Sequence, residues 1–413
     1  MEEGKFKDKA AVEGNPDFEK LIIRESHLYK REDDVRSEFA RDYTRILHSL
    51  AYRRLKHKTQ VFYNAAGNDH ICTRIEHVAH VGSVATTISR FLGLNTELSA
   101  AIALAHDLGH APFGHQGEKC LNQISSEFLG KPFWHEKNGL RMVDHIELLE
   151  DNYRHLKNLD LTYAVRDGII SHCGEVDDNG IIPREEAIDL EEDFIEPGQF
   201  EPYTWEGAVV KLSDKIAYLG RDIEDAITLK ILERSQIEAL EEMARVKDER
   251  AINTTVIMHN MIINICENSD PDKGIRLSRD FYEQLKKIQD FNIKNIYKNP
   301  MLQPFCRYSE LVLKEIFKVL YDVYDGERTF EEIHEKEKYF PCLMKPFGNW
   351  LARYVNFPSA RLSISGFELP ECDNEKIYGN LSEADKYTQA VIDYISGMTD
   401  SYAIKVYEEL LRY

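Results

Sequence analysis

The chain has 413 residues, 43% of them hydrophobic, which is enough for a sizeable core in one large domain or two. Lys and Arg number 52 against 72 Asp and Glu, and the net charge of -20 repels phosphate backbones and anionic lipid over most of the exterior. Nucleic-acid partners are therefore disfavoured, whereas a small phosphorylated ligand stays compatible, because a few inward-pointing cations build a positive pocket inside an acidic shell.

The opening stretch "MEEGKFKDKAAVEGNPDF" has no apolar core, and no run of about 18 apolar residues occurs. Neither a signal peptide nor a membrane span is expected, and the expected location is the cytoplasm. Cys72, Cys120, Cys173, Cys266, Cys306, Cys342 and Cys372 are odd in number, scattered and without a CxxC pair, as reduced thiols are. None is read as a ligand.

In chain order, "TQVFYNAAGNDHICTR" reads as a short hairpin turning at Gly67 and Asn68. From Ile71 onward Ile75, Val78, Val81, Val84, Ala85, Ile88 and Leu92 recur with a 3.6-residue period, which predicts a helix. Thr96 to Ala105 is a second, largely apolar helix, with Gly109 as its C-terminal stop. Glu175 to Gly198, acidic with two prolines, reads as a loop. Trp205 to Leu229 is amphipathic, with Val209, Leu212, Ile216, Leu219, Ile223 and Ala226 on one face. Phe357 to Leu381 is a second loop. Ser382 with Asp385 resembles a capping box opening a last helix, on which Tyr387, Val391, Tyr394, Met398 and Tyr402 share a face. The fold class is all-α, with at most a small β-hairpin.

Chemistry concentrates in "AIALAHDLGHAPFGHQGE", where the second helix ends in His106 and Asp107. Neutral imidazole beside carboxylate suits a borderline divalent metal, and it equally suits an ordinary hydrogen-bonded helix end. A helical-wheel count puts Arg74 near the apolar stripe of the preceding helix and His77 at its edge, while His80 faces elsewhere as a surface histidine. Buried arginine needs an anionic partner, either a protein carboxylate or a ligand. Asp214, Tyr218, Arg221, Asp222 and Asp225 fall on one stripe of the Trp205 to Leu229 helix, and spacing alone makes that stripe a solvated face.

His77, then His106 with Asp107, then Asp214 resembles the H…HD…D pattern of the HD superfamily of metal-dependent phosphohydrolases. More closely, the chain resembles the deoxynucleoside triphosphate triphosphohydrolases, the bacterial dGTPase group. The resemblance is carried, in order, by "ARDYTRILHSLAYRRLKHKTQVF", "TRIEHVAHV", "HDLGHAPFGHQGE", "FWHE", "VVKLSDKIAYLGRDIEDA" and "DYISGMTDSYA". It implies an HD-domain helical core over 35–235, after an N-terminal extension 1–34, with a C-terminal helical region 236–413 packed on it as one continuous unit.

The resemblance further implies that His77, His106, Asp107 and Asp214 hold one divalent ion (Mn, Mg, Fe, Co, Ni or Zn). His115 and Glu118 match the family's catalytic His and acidic partner; their i, i+3 spacing lets the carboxylate orient the imidazole if a helix begins there. His110 and His135 match histidines near the phosphates. Arg74 and Lys215 match phosphate contacts; Gln60, Tyr218 and Asp222 match sugar contacts. The implied reaction is hydrolysis of a deoxynucleoside triphosphate, dGTP foremost, to deoxynucleoside and inorganic triphosphate. Implied partners are a second, allosteric nucleotide and further copies of the chain in a homo-oligomer. Another HD phosphohydrolase (a 5′-deoxynucleotidase, a cyclic-nucleotide phosphodiesterase or an alarmone hydrolase) and a silent nucleotide sensor stay open. Asp400 and Tyr402 read as core rather than as site residues.

Overall fold

A computed structural model of the chain describes residues 3–26, 34–62, 70–151, 153–173, 179–244, 254–357, 367 and 372–412. The expected all-α class holds. Among the described residues the only sheet is a two-stranded antiparallel pair, Leu148–Glu150 with Leu156–Asn158, in which Leu149 faces Lys157. The hairpin expected around Gly67 and Asn68 lies outside the described residues. No helix is long and apolar enough to cross a membrane among them, and all seven cysteines are free thiols.

The chain divides into two compact units, each assembled from separated stretches. The first takes Met1–Leu47, Gln60–Asp107 and Asp160–Pro304. At its centre the Arg74–Leu92, Thr96–Ala105 and Trp205–Thr228 helices pack on one another. Each begins where its sequence supplies a cap. Glu76 Oε2 accepts from the Thr73 amide at 2.8 Å, Asn95 Oδ1 accepts from Glu97 and Leu98, and Thr204 Oγ1 accepts from Gly207.

The periodic face of the first helix is buried as its pattern demands, from Val78 through Val81, Val84, Ala85 and Ile88 to Leu92. Each of the larger of these side chains contributes roughly 1.5 to 3 kcal/mol. Gly93, at φ 84°, ends that helix in the left-handed conformation. A Cβ there would stand 2.9 Å from the Gly4 Cα, so both backbone shape and space call for glycine. The Tyr163–Ser171 helix approaches equally closely: a Cβ on Gly168 would lie 2.6 Å from the Ile102 side chain.

The solvated stripe expected on the long helix is not solvated. Asp214, Asp222 and Asp225 are all buried: Asp214 against His77 and His106, Asp225 against the Cys72 amide, and Asp222 under the π-turn Ile293–Tyr297, which with the Arg279–Asn292 helix packs on the long helix. Gln289 donates to the Tyr218 hydroxyl, Asn292 to the Leu219 carbonyl and Tyr297 to Asp222. His80, expected at the surface, is half-buried, and burial together with nearby Arg221 lowers its pKa.

The second unit takes His48–Thr59, Leu108–Leu159 and Phe305–Tyr413. Its core draws Ile124, Leu121 and Met142 together with Val312, Ile316, Leu343, Phe347, Val391 and Ile395. The expected last helix is two helices, Ala384–Ser396 and Asp400–Leu410, broken at Gly397. The Ser382 and Asp385 capping box is absent: Glu383 takes the N-cap position, without a side-chain cap bond. Thr399 caps the following helix by accepting from the Tyr402 amide. The face nevertheless keeps its apolar role, with Tyr387, Val391 and Met398 buried and the Tyr394 hydroxyl 2.8 Å from that of Tyr402.

Candidate functional site

In the first unit, five charged or titratable side chains converge from three helices. Arg74 and His77 stand in the first turn of the Arg74–Leu92 helix, and His106 and Asp107 directly follow the Thr96–Ala105 helix. Asp214 lies midway along the Trp205–Thr228 helix. All five are buried. His77 Nε2 is 2.8 Å from Asp214 Oδ1 and 3.9 Å from Asp107 Oδ2. His106 Nε2 is 3.4 Å from Asp107 Oδ1 and 3.7 Å from Asp214 Oδ1.

Helix-end geometry sets the tautomer of His106. Its Nδ1 donates to the Ala103 carbonyl at 2.7 Å, so Nε2 carries the lone pair and makes no hydrogen bond among the described residues. This is how a metal-binding histidine is oriented. Two neutral imidazoles and two carboxylates carry a charge of about −2, which a divalent cation cancels in a place where unpaired charge is costly. The four side chains therefore fit such an ion, and one atom each of His77, His106 and Asp107 already lie within 4.8 Å of one another.

The local field is strong. Burial pushes Asp214 up, but the hydrogen bond and charge of His77, with His106 and His172 behind it, hold that carboxyl below the usual range. Burial lowers His77, and Asp214 and Asp107 raise it beyond its ordinary value. Arg74 Nη1 donates to Asp107 Oδ2 at 2.9 Å, while its Nε and Nη2 have no hydrogen-bond partner among the described residues. The anionic partner expected for Arg74 is thus one of the four carboxyl and imidazole groups, with donor capacity left over.

Further along the same helix, Lys215 is half-buried and pushed down to about 8 by burial and by Lys211 one turn before it. Asp222 is pushed up to about 7 by burial, against the hydrogen bond donated by Tyr297 at 2.6 Å. Its Oδ1 has no partner among the described residues, nor does Oε1 of the buried Gln60.

The second unit holds an imidazole cluster. Glu118, in the second turn of the Gly114–Leu129 helix, accepts from the His135 amide at 3.0 Å and sits 3.1 and 3.2 Å from His135 Nδ1. His110 stacks on His135 at 3.8 Å, the planes 17° apart, with its Nδ1 3.9 Å from Glu118. His115, with a side chain 71% exposed, stands 3.8 Å from Glu118. The helix needed for the His115 and Glu118 pairing does begin there, yet the carboxylate's hydrogen bonds go to His135. Burial alone would raise Glu118; His135, His115 and His110 together hold it far below the carboxylate range.

Gly109 is not the helix stop expected, since the Thr96–Ala105 helix ends four residues earlier. Its role is space. A Cβ would stand 2.0 Å from the His135 carbonyl oxygen and 2.1 Å from the Gly139 nitrogen, so only glycine lets the His135–Arg141 helix approach this turn. Phe113 takes φ 65°, rare for a bulky residue. It is held there by its amide donating to Asp400 Oδ1, whose other oxygen accepts from Thr59, both at 2.8 Å. Asp400 thereby ties the Phe113 turn to the segment at Thr59.

Four residues escaped the sequence reading. Glu136, buried, lies 3.2 Å from His135 Nδ1, and its place in "FWHE" was the available signal. Gln289, on an unremarkable amphipathic helix, and Tyr297, in the π-turn after it, touch Tyr218 and Asp222, where periodicity carries no hint. His172, buried beside His106, follows a nine-residue helix without metal-ligand spacing.

The HD-domain profile matches residues 74–219, and a phosphohydrolase-associated domain matches residues 368–409. A deoxyguanosinetriphosphate triphosphohydrolase-like protein of Caldanaerobacter subterraneus is 33% identical over 391 residues, covering 94% of this chain and 89% of its own. One of Clostridium tetani, with the same name, is 31% identical over 93% of this chain and 88% of its own. A third, of Pelagibacter ubique, is 32% identical over 94% and 97%. With helices, histidines and carboxylates arranged as above, the chain belongs to the HD-domain phosphohydrolases, in the deoxyguanosinetriphosphate triphosphohydrolase-like family.

Proposed function

We propose that this protein hydrolyses deoxynucleoside triphosphates, dGTP foremost, to deoxynucleoside and inorganic triphosphate. The observation that carries the reading is the convergence of His77, His106, Asp107 and Asp214 beside an arginine with unspent donors. These four residues would hold one divalent cation, with Mn, Mg, Fe, Co, Ni and Zn all compatible with such a donor set. When bound, that ion supplies Lewis-acid charge at a phosphoryl oxygen and makes water a better nucleophile.

The chain's own residues do the rest. A triphosphate carries about four negative charges, so Arg74 and Lys215 bind it through charge-assisted hydrogen bonds. Arg74, steered by Asp107, presents a planar fork suited to phosphate. Asp222, buffered by Tyr297, accepts from the 3′-hydroxyl; Tyr218 packs against C2′ and leaves no room for a ribose oxygen; Gln60 meets the sugar. Hydrolysis forms a bond from water oxygen to the α-phosphorus and breaks the one to the 5′ oxygen. Water gives up a proton and the leaving oxygen gains one. We assign those transfers to the histidine cluster. Glu118 fixes the His135 ring through Nδ1 and stabilises positive charge on it, and His110 and His115 complete the set.

Incubating the protein with each dNTP and rNTP under Mn or Mg, and separating products by ion exchange, tests the proposal. Inorganic triphosphate from deoxynucleotides alone is the expected product. Phosphate or pyrophosphate instead indicates a different HD phosphohydrolase, and binding without turnover indicates a sensor.

A further inference from the structure

The cation centre proposed above uses four side chains, and a fifth lies against it. His172 follows the last turn of the Tyr163–Ser171 helix and is 1% exposed. Its Nδ1 donates to the Ile169 carbonyl, three residues back, at 2.7 Å. That is the same device that fixes His106 through Ala103, at the same distance and the same spacing. In both rings the helix end consumes Nδ1 and makes Nε2 the lone-pair nitrogen.

The two rings meet edge to face at 4.9 Å and 74°. One donor atom each of His106, His172 and Asp214 lie within 4.8 Å of one another, close to the roughly 3 to 4 Å that separates donors sharing one cation. A histidine kept only for packing needs neither that tautomer nor that proximity to Asp214. We infer that His172 is a further protein ligand of the divalent ion, the third imidazole in a set with His77, His106, Asp107 and Asp214.

The inference rests on the proposed metal centre, and the test separates the two. The full chain is loaded with Co(II), and X-ray absorption counts the imidazoles around the ion. Three are expected in the wild type and two in His172→Ala, with Co(II) affinity in a calorimetric titration falling at least about tenfold. If the alanine variant does not fold, His172→Gln, closer in volume, replaces it. Two imidazoles in the wild type, or an unchanged count and affinity in the His172 variant, overturn the inference. His106→Ala is the control. A count that falls from two to one there leaves the four-residue centre standing and removes only His172; a count indifferent to His106 removes the centre itself.

Discussion

His106 Nδ1 donates to the Ala103 carbonyl at 2.7 Å, and this bond decides which face of the ring meets Asp107 and Asp214. Because the acceptor is backbone, no side-chain change can remove it; only loss of the ring or of the carboxylate tests the arrangement. Asp107→Ala should lower turnover at least about 10³-fold, the scale of several kcal/mol of metal-borne charge stabilisation. Metal content by elemental analysis should fall in parallel. Activity within tenfold of wild type would contradict the assignment.

Arg74 spends one nitrogen on Asp107, and its Nε and Nη2 have no hydrogen-bond partner among the described residues. Arg74→Lys preserves the charge but not the fork, so steady-state kinetics should show KM rising about 10- to 100-fold, equivalent to losing a charged hydrogen bond. An unaltered KM would mean that the guanidinium only neutralises Asp107.

Glu118 has its carboxyl held below the usual range by three imidazoles, against burial. A depressed folded-state pKa contributes stability that is present above the unfolded value, about 4.5, and is lost as pH falls below it. Glu118→Gln should therefore cost more stability at pH 7 than at pH 3, by thermal melts at the two values. At pH 7, His135→Ala should cut turnover by about 10² to 10⁴. A Glu118→Gln variant that differs from the wild type equally at both pH values would refute the ion-pair account.

Asp222 shows the opposite sign. Burial raises its pKa to about 7, so its contribution is fully present below the unfolded value near 3.9 and is lost as pH rises through 7. Asp222→Asn, which cannot ionise, should gain on the wild type between pH 5 and pH 8, on the order of 1 kcal/mol or more. Its KM for deoxynucleotides should rise, because the acceptor for a sugar hydroxyl is weakened. A melting-temperature difference independent of pH would rule out the raised carboxyl.

Gly109→Ala places a methyl against backbone atoms 2.0 and 2.1 Å away, which cannot yield as a flexible side chain can. A loss of at least about 2 kcal/mol is expected in denaturant unfolding, together with displacement of His135. Gly82→Ala is the contrast: its new Cβ would meet only Ala103 at 3.9 Å, in mid-helix, and should stabilise by about 0.5 to 1 kcal/mol. Equal effects at the two glycines would be inconsistent with the close approach.

Helices that announce themselves by period were legible. The Arg74–Leu92 helix lies within a residue or two of where Ile75 through Leu92 place it, because one wide apolar stripe meets one core. The polar stripe of the Trp205–Thr228 helix was not legible as buried, since its cover comes from residues distant in sequence, His77 and Cys72 upstream and Gln289 and Tyr297 downstream. Spacing could nominate His106 and Asp107 but not decide between cap and ligand; the family pattern chose the partners, and the Ala103 carbonyl that sets the ring has no signature in sequence. His172 stayed hidden for the same reason, its signal being a carbonyl rather than a neighbour in sequence. The break at Gly397 escaped because the Tyr stripe continues across it.

Phe113 keeps its left-handed backbone because a carboxylate 287 positions downstream accepts its amide, and that carboxylate opens the final helix. The imidazole-bearing turn is thus completed by a residue far from it in sequence. A recombinant fragment trimmed to the stretch that the HD profile recognises would lack this tether, and should come out of expression as an aggregating, histidine-disordered product rather than a minimal enzyme.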